Sequence, residues 1–173
     1  MRSDKWTLQA KYVPFWMRDD PTFQDDFGNT TAMDWIKFIK REPPEYMRHD
    51  PTIKNKYEQT LAILWIIFVK TEPPEWMRHD PTIQGPCGGT VAMFWIRIIK
   101  TEPPEWMRHD PMIRDMYGRT LAMIWITYVQ TFPPKWMRYD PKLQRPCNET
   151  LAIIWIRNVQ TFPPKWMIQY DMI

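Results

Sequence analysis

The sequence is poor in several things that would narrow its function at once. Two cysteines in 173 residues are too few for a disulfide framework, so a reducing, intracellular and cytoplasmic setting is the expectation. The five glycines are nowhere gathered into a phosphate-binding loop. Neither sign of charge dominates: 23 Lys and Arg against 20 Asp and Glu leave a net charge of +3, too small by itself to imply a nucleic acid or a membrane as partner. The longest apolar run, Leu61 to Val69, falls far short of the roughly 20 residues that span a bilayer. The opening stretch, MRSDKWTLQAKYV, has no apolar core of the signal-peptide kind. The chain therefore reads as soluble. It also has no Ser/His/Asp arrangement and no Cys-x-x-Cys. Carboxylates repeated at one phase do not form an acid/base pair, whose members need unlike environments. An enzyme is not expected, and no catalytic residue, cofactor or metal ligand is assigned.

What is present is a repeat. PPEYMRHDP ends at Pro51, PPEWMRHDP ends at Pro81 and Pro111, and PPKWMRYDP ends at Pro141. A partial copy, FWMRDDP, ends at Pro21, and a truncated one, PPKWMIQYD, ends at Asp171. Between them recur NTTAMDWI, QTLAILWI, GTVAMFWI, RTLAMIWI and ETLAIIWI, with Thr30, Thr60, Thr90, Thr120 and Thr150 at a spacing of 30 residues. Spacing free of insertions implies one supersecondary unit stacked on copies of itself. The eighteen prolines thus punctuate a fold, and the eleven tryptophans argue against disorder.

Each unit predicts two helices, an all-α solenoid of helix-turn-helix-loop repeats. Thr60 suits an N-cap, and after it Ala62, Trp65, Ile66 and Val69 fall on one helical face. Ala32, Trp35, Ile36 and Ile39 repeat the pattern, as do Ala92, Trp95, Ile96 and Ile99. The helix must end before the Pro-Pro pair, because the residue preceding proline disfavours α geometry. Pro74 then suits the first turn of a second helix, about 74 to 79, too short to survive without neighbours. Asp80-Pro81 ends it. The expected organisation is a single solenoid over 1–173: an N-terminal cap at 1–15, about five repeats over 16–165, and a C-terminal cap at 166–173.

Units of this order and near this length resemble the ankyrin repeat. Asp20 is followed by Gly28 and Thr30, and Asp110 by Gly118 and Thr120, which matches that family's Asp-to-Gly-to-Thr spacing; the likeness runs from about Trp16 to the end. The departures are a Thr-Leu-Ala-Met turn (Thr120 to Met123) in place of Thr-Pro-Leu-His, Trp35 and its equivalents where a small alanine is usual, and a repeat three residues short, the loss falling at the Pro-Pro pair. Tetratricopeptide and HEAT-type units, being longer, fit less well.

Several ladders invite chemistry. His49, His79 and His109 share a phase, but adjacent helices pack about 8–10 Å apart, whereas the ligands of one zinc all lie within about 2 Å of it; a hydrogen bond near the helix end is expected instead. Cys87 and Cys147 stand two repeats apart, too far for a disulfide, at what looks like a half-buried apolar position. Arg18, Arg48, Arg78, Arg108 and Arg138 run beside Asp20, Asp50, Asp80, Asp110 and Asp140, which points to a structural ion-pair network more than to a nucleic-acid footprint. The tryptophans at Trp35 to Trp155 and Trp76 to Trp166 are expected to form the core.

The resemblance places partner contacts on the loop tips and first helices. Two sets of residues vary there: the tips (24–26 and their equivalents) and the off-core helix positions. From the latter come the candidate partner-binding residues Phe38, Leu64, Phe68, Phe94, Arg97, Ile124, Tyr128 and Arg157. If exposed they form too apolar a surface to be idle; the alternative is that the shortened repeat buries them. What the resemblance implies is a non-catalytic protein-binding scaffold, and by family analogy an inhibitor of a host factor of viral or microbial kind. A self-assembling structural protein, associating through its apolar C-terminal end, and a nucleic-acid-binding solenoid are the alternatives. Along one flank, Glu42, Glu45, Glu72, Glu75, Glu102 and Glu105 give way to Phe132, Lys135, Phe162 and Lys165.

Overall fold

The computed structural model describes residues 20–138 and 149–168. The expected N-terminal cap and the last five residues lie outside that range. Within it, five helices follow one another at the repeat spacing: α1 (Thr31–Ile39), α2 (Leu61–Phe68), α3 (Val91–Ile99), α4 (Leu121–Tyr128) and α5 (Leu151–Val159). Each packs on the next in chain order, giving an all-helical repeat stack.

The helices begin where the threonines stand. Thr30, Thr60, Thr120 and Thr150 accept a hydrogen bond from the amide three residues on, which satisfies one of the orphan donors of the first turn. They end in a left-handed residue, Lys40, Lys70, Lys100, Gln130 and Gln160, so the chain reverses before each Pro-Pro pair without the glycine usual at such ends.

The second helix departs from expectation. Pro74 is extended (φ −52°, ψ 153°), and only Glu75–Met77 form a 3-10 turn before Arg78 returns to extended geometry. Glu45–Met47, Glu105–Met107 and Lys135–Met137 do the same; a four-residue helix, α6 (Lys165–Ile168), replaces the turn after α5. The Pro-Pro pair thus leads up to the turn rather than opening a helix. Extending the chain at Arg78 and His79 lets both side chains reach back to other elements, which a continued helix would not allow.

The core is a column of the inner helix faces and one methionine per turn: Met47, Met77, Met107, Met137 and Met167 are buried. Trp65, Trp95, Trp125 and Trp155 are buried with them, each indole N–H donating to the threonine six residues on, at 3.0–3.1 Å. Trp76, Trp106, Trp136 and Trp166 are only half-buried; they cover the core and also line a flank. The tryptophan core is therefore realised by the helix set and only in part by the turn set.

Candidate partner-binding surface

Three ladders expected from the sequence resolve into specific bonds. His49, His79 and His109 each place Nε2 at 2.7–3.0 Å from Thr30, Thr60 and Thr90 Oγ1, and each Nδ1 lies 2.8 Å from the backbone oxygen of the next residue. A carbonyl only accepts, so Nδ1 carries the proton and Nε2 accepts from the threonine hydroxyl. That hydroxyl joins one helix start to the following turn. Burial, opposed by Asp50 and Asp110, holds His49 and His109 below the usual histidine value. Among the described residues no group of three or more His, Cys, Asp or Glu side chains could hold a metal.

The arginine ladder is ionic but not with the aspartates. Asp20, Asp50 and Asp80 accept from the amide and hydroxyl of Thr22, Thr52 and Thr82 at 2.6–2.9 Å, closing the turn after each Asp-Pro. Arg48, Arg78 and Arg108 instead donate through Nη2 to Glu42, Glu72 and Glu102 at 3.0–3.1 Å. The same carboxylate oxygen accepts from the indole of the next unit, Trp76, Trp106 or Trp136, at 2.8–3.0 Å. Each guanidinium also lies over that indole at 5.1–5.4 Å. Each rung is thus a Glu held between an Arg and a Trp, joining successive units. The aspartate is the nearer partner in sequence, but its Oδ1 is engaged by its own turn.

The loops before the helices are hairpin tips stacked side by side. Asp25, Asn55 and Asp115 close their own tips by accepting from two backbone amides at 2.8–3.0 Å. Side chains then bridge from tip to tip: Gln24 to the Lys54 carbonyl, Lys54 to that of Gln84, and Gln84 to that of Arg114, at 2.7–2.9 Å. Direct backbone bonds join the tips in pairs, Lys56 N–H to Phe27 O and Met116 N–H to Cys87 O. Gly88, with φ +70°, faces that approach, and a Cβ there would stand 3.0 Å from the Met116 nitrogen. Phe27, Tyr57, Met116 and Tyr117 are more than half exposed on these tips. Cys87, at the same phase, is a free, exposed thiol rather than half-buried; Cys147 lies outside the described residues.

The helix positions divide. Leu64 and Ile124 are fully buried and do not belong to an accessible surface. In α2 and α4 the first six residues are all buried, because these helices are enclosed on every side that the pattern left free. Phe68 and Phe94 are half-buried against the core. Phe38 and Tyr128 are exposed. Arg97 donates to Asp115 at 3.0 Å while Arg119 takes the same carboxylate at 2.7 Å, and the Asp115 side chain is 0% exposed. Arg97 also sits over the Phe94 ring at 5.7 Å, so Phe94, Arg97 and the α4 tip form one continuous surface. Arg157 is exposed and paired with Glu149. Six of the eight candidates therefore reach solvent at least in part.

The phase that Phe27, Tyr57 and Tyr117 share with Cys87 and Cys147 is half-buried on the sequence reading, which takes only 24–26 and their equivalents as the variable tips; the structure exposes all three aromatic rings instead. A doubled period, 60 residues, was the available signal. Lys37, Arg97 and Arg157 are basic where Ile67 and Thr127 are not, and Cys87 and Cys147 alternate with Tyr57 and Tyr117.

By sequence alone the chain matches no protein-family model and no curated protein. In structure it is similar to a chain of the Bd0816 predatory endopeptidase from Bdellovibrio bacteriovorus in complex with immunity protein Bd3460, with a TM-score of 0.58 at 15% identity over 98% of this chain and 93% of that one. The likeness is one of fold: a stack of hairpin tips, helices and turns, ankyrin-like in its order. The ankyrin repeat protein EF0377 aligns over 91% of this chain and 94% of its own with 12% identity and a TM-score of 0.48.

Proposed function

We propose that this chain is a non-catalytic scaffold that binds another protein through its hairpin tips and the outer edges of its helices. The observation that carries the reading is the line of exposed aromatic and apolar side chains, Phe27, Tyr57, Met116 and Tyr117 on the tips with Phe38 and Tyr128 on the helices. Large side chains of this kind on a rigid support are what binding hot spots are made of. The support is rigid because each tip is closed by its own carboxylate or amide and tied to its neighbour. The complete arginine rungs favour a protein over a nucleic acid, since Arg48, Arg78 and Arg108 are held by glutamates and not left for phosphates. The free, exposed thiol of Cys87 suits an intracellular setting. Inhibition would follow where the surface so occupied is the partner's working surface; the solved neighbour pairs an endopeptidase with an immunity protein, which favours testing that outcome first.

A photo-cross-linking residue at Tyr57 or Tyr117, compared with one at Tyr46, tests the surface. Tyr46 is as exposed but stands in a 3-10 turn on the Arg/Trp flank. In extract from the native source, one protein is expected to cross-link from positions 57 and 117 and not from 46. Cross-linking from 46 alone, or equally from all three, would move the interface off the tips.

One observation favours a second reading. Ile153 and Ile156 of α5 are 42% and 54% exposed, whereas their counterparts in the four preceding helices are no more than 1% exposed. This face would take a second copy of the chain. A concentration series in sizing chromatography decides it: a monomer throughout the range removes self-association.

A further inference from the structure

The rung that joins α5's unit to the one before it is incomplete. Arg138 lies over the Trp166 indole at 5.1 Å, as its equivalents lie over theirs at 5.1–5.4 Å. Both side chains are half-buried. The residue that should supply the carboxylate is Phe132, and its ring turns away to stack on Trp155, with centroids 4.8 Å apart and planes 24° from parallel. Arg138 directs its Nε to the Pro133 carbonyl at 3.1 Å; in the complete rungs it is Nη2 that takes the carboxylate. The guanidinium thus keeps the distance over the indole that three times in this chain accompanies a bound glutamate, and among the described residues no carboxylate joins the two.

We propose that this gap is a binding site for a carboxylate side chain of a partner polypeptide, which completes the fourth rung from outside. Three features favour that ligand. The chain's own complete rungs show that an Arg and a Trp so placed take one carboxylate oxygen at 2.8–3.1 Å from both donors. The flank changes sign here, with Lys135 and Lys165 at the phase of Glu45, Glu75 and Glu105, so a negative group is attracted and not repelled. Phe132 and Phe162 are exposed on the same flank, Phe162 to 85%, giving apolar contact to the residues beside the acid. Charge-assisted bonds of this type are short and directional, and the apolar neighbours reduce the competition from water. The site lies away from the hairpin tips, so its test stands or falls apart from the tip reading.

The test uses the full chain labelled with ¹⁵N, the indole N–H resonances of Trp76, Trp106, Trp136 and Trp166 being assigned by single Trp→Phe substitutions. The probe is acetyl-Glu-Glu-Glu-amide, with acetyl-Gln-Gln-Gln-amide and an eight-residue oligothymidylate as comparisons. The Trp166 resonance alone is expected to move saturably with the glutamate peptide, and at least tenfold more weakly with the glutamine peptide. Phe132→Glu should bring that resonance to the region of the other three without any peptide and abolish the response. Arg138→Gln should abolish the response as well, which keeps the test decisive if Phe132→Glu does not fold. No movement of Trp166 in the parent chain, an equal response to the glutamine peptide, or a response to the oligonucleotide in place of the acidic peptide would each overturn the assignment.

Discussion

Ile96 and Ile156 occupy the same phase of their units, yet Ile96 is 0% exposed between successive helices and Ile156 is 54% exposed. Replacing each by alanine isolates what a following helix contributes. A fully buried Ile→Ala change removes three carbons and leaves a cavity, at a cost of about 2–5 kcal/mol. For a chain of this length, about 2–4 °C of melting temperature follow each kcal/mol, so a mid-range loss of about 3 kcal/mol lowers it by about 6–12 °C. Ile156 keeps less than half its surface from water, no cavity forms behind it, and alanine is the better helix former by a few tenths of a kcal/mol. Its replacement should therefore cost less than about 1 kcal/mol. Urea unfolding followed by circular dichroism measures both at one protein concentration. Equal losses would mean that α5 is covered as the other helices are, and the exposed end face, with the self-association reading built on it, would be withdrawn. If that face instead takes a second copy at high concentration, Ile156→Ala should grow more costly as the protein is concentrated while Ile96→Ala stays unchanged.

Acidification gives a second expected outcome. Burial lowers the folded-state values of His49 and His109, so the unfolded chain binds protons first and stability falls as pH drops below the ordinary histidine value of about 6.5. The loss ends once pH passes the lowered folded values. Asp50 and Asp80, held down by Thr52 and Thr82, lose their contribution only as pH falls further, below the carboxylate range. Urea midpoints from pH 7.5 to 5 should decline, and the double variant His49→Gln, His109→Gln should flatten that decline; an unchanged slope would refute the assignment. A third outcome concerns Trp35, whose indole nitrogen is buried without a partner because Arg41 stands where Thr71, Thr101, Thr131 and Thr161 serve the other indoles. Arg41→Thr should supply the missing acceptor and stabilise the chain by about 1 kcal/mol, read as a raised melting temperature; no gain would mean that the indole is satisfied by solvent.

The helices were legible because one position per unit announces each feature: threonine for the start, the tryptophan face for the core, Pro-Pro for the stop. The turns were less so. Pro74 has the φ of a helix opener, and only its extended ψ of 153° shows that it precedes the turn. For Leu64 and Ile124 the pattern leaves exposure and burial both open, and the structure buries them. A four-residue spacing identifies one face of a helix and says nothing of a helix enclosed on several faces, and α2 and α4 are apolar almost throughout. Partner choice within the charge ladders was also beyond the pattern. Asp50 lies nearer in sequence to Arg48 than Glu42 does, yet a carboxylate two residues before a threonine bonds its own turn first, because that closure costs almost no additional ordering.

The doubled period bears on why the exposed surface does not repeat although the core does. Tips bond backbone to backbone in pairs, before α1 with before α2 and before α3 with before α4. Within a pair, the first helix carries a basic residue at the position that reaches a tip: Lys37 to Asn29 at 2.6 Å, and Arg97 to Asp115 at 3.0 Å. The second helix carries Ile67 or Thr127 there and reaches no tip through it. The polar tie therefore alternates with plain packing along the described helices. On the proposed reading, a partner meeting this face would find exposed aromatic groups in the first, second and fourth described units, Phe27 and Phe38, Tyr57, and Tyr117 and Tyr128. Specificity would then reside in which pair of units it spans, since the tips at 24–26, 54–56, 84–86 and 114–116 differ in sequence while the frame that carries them does not.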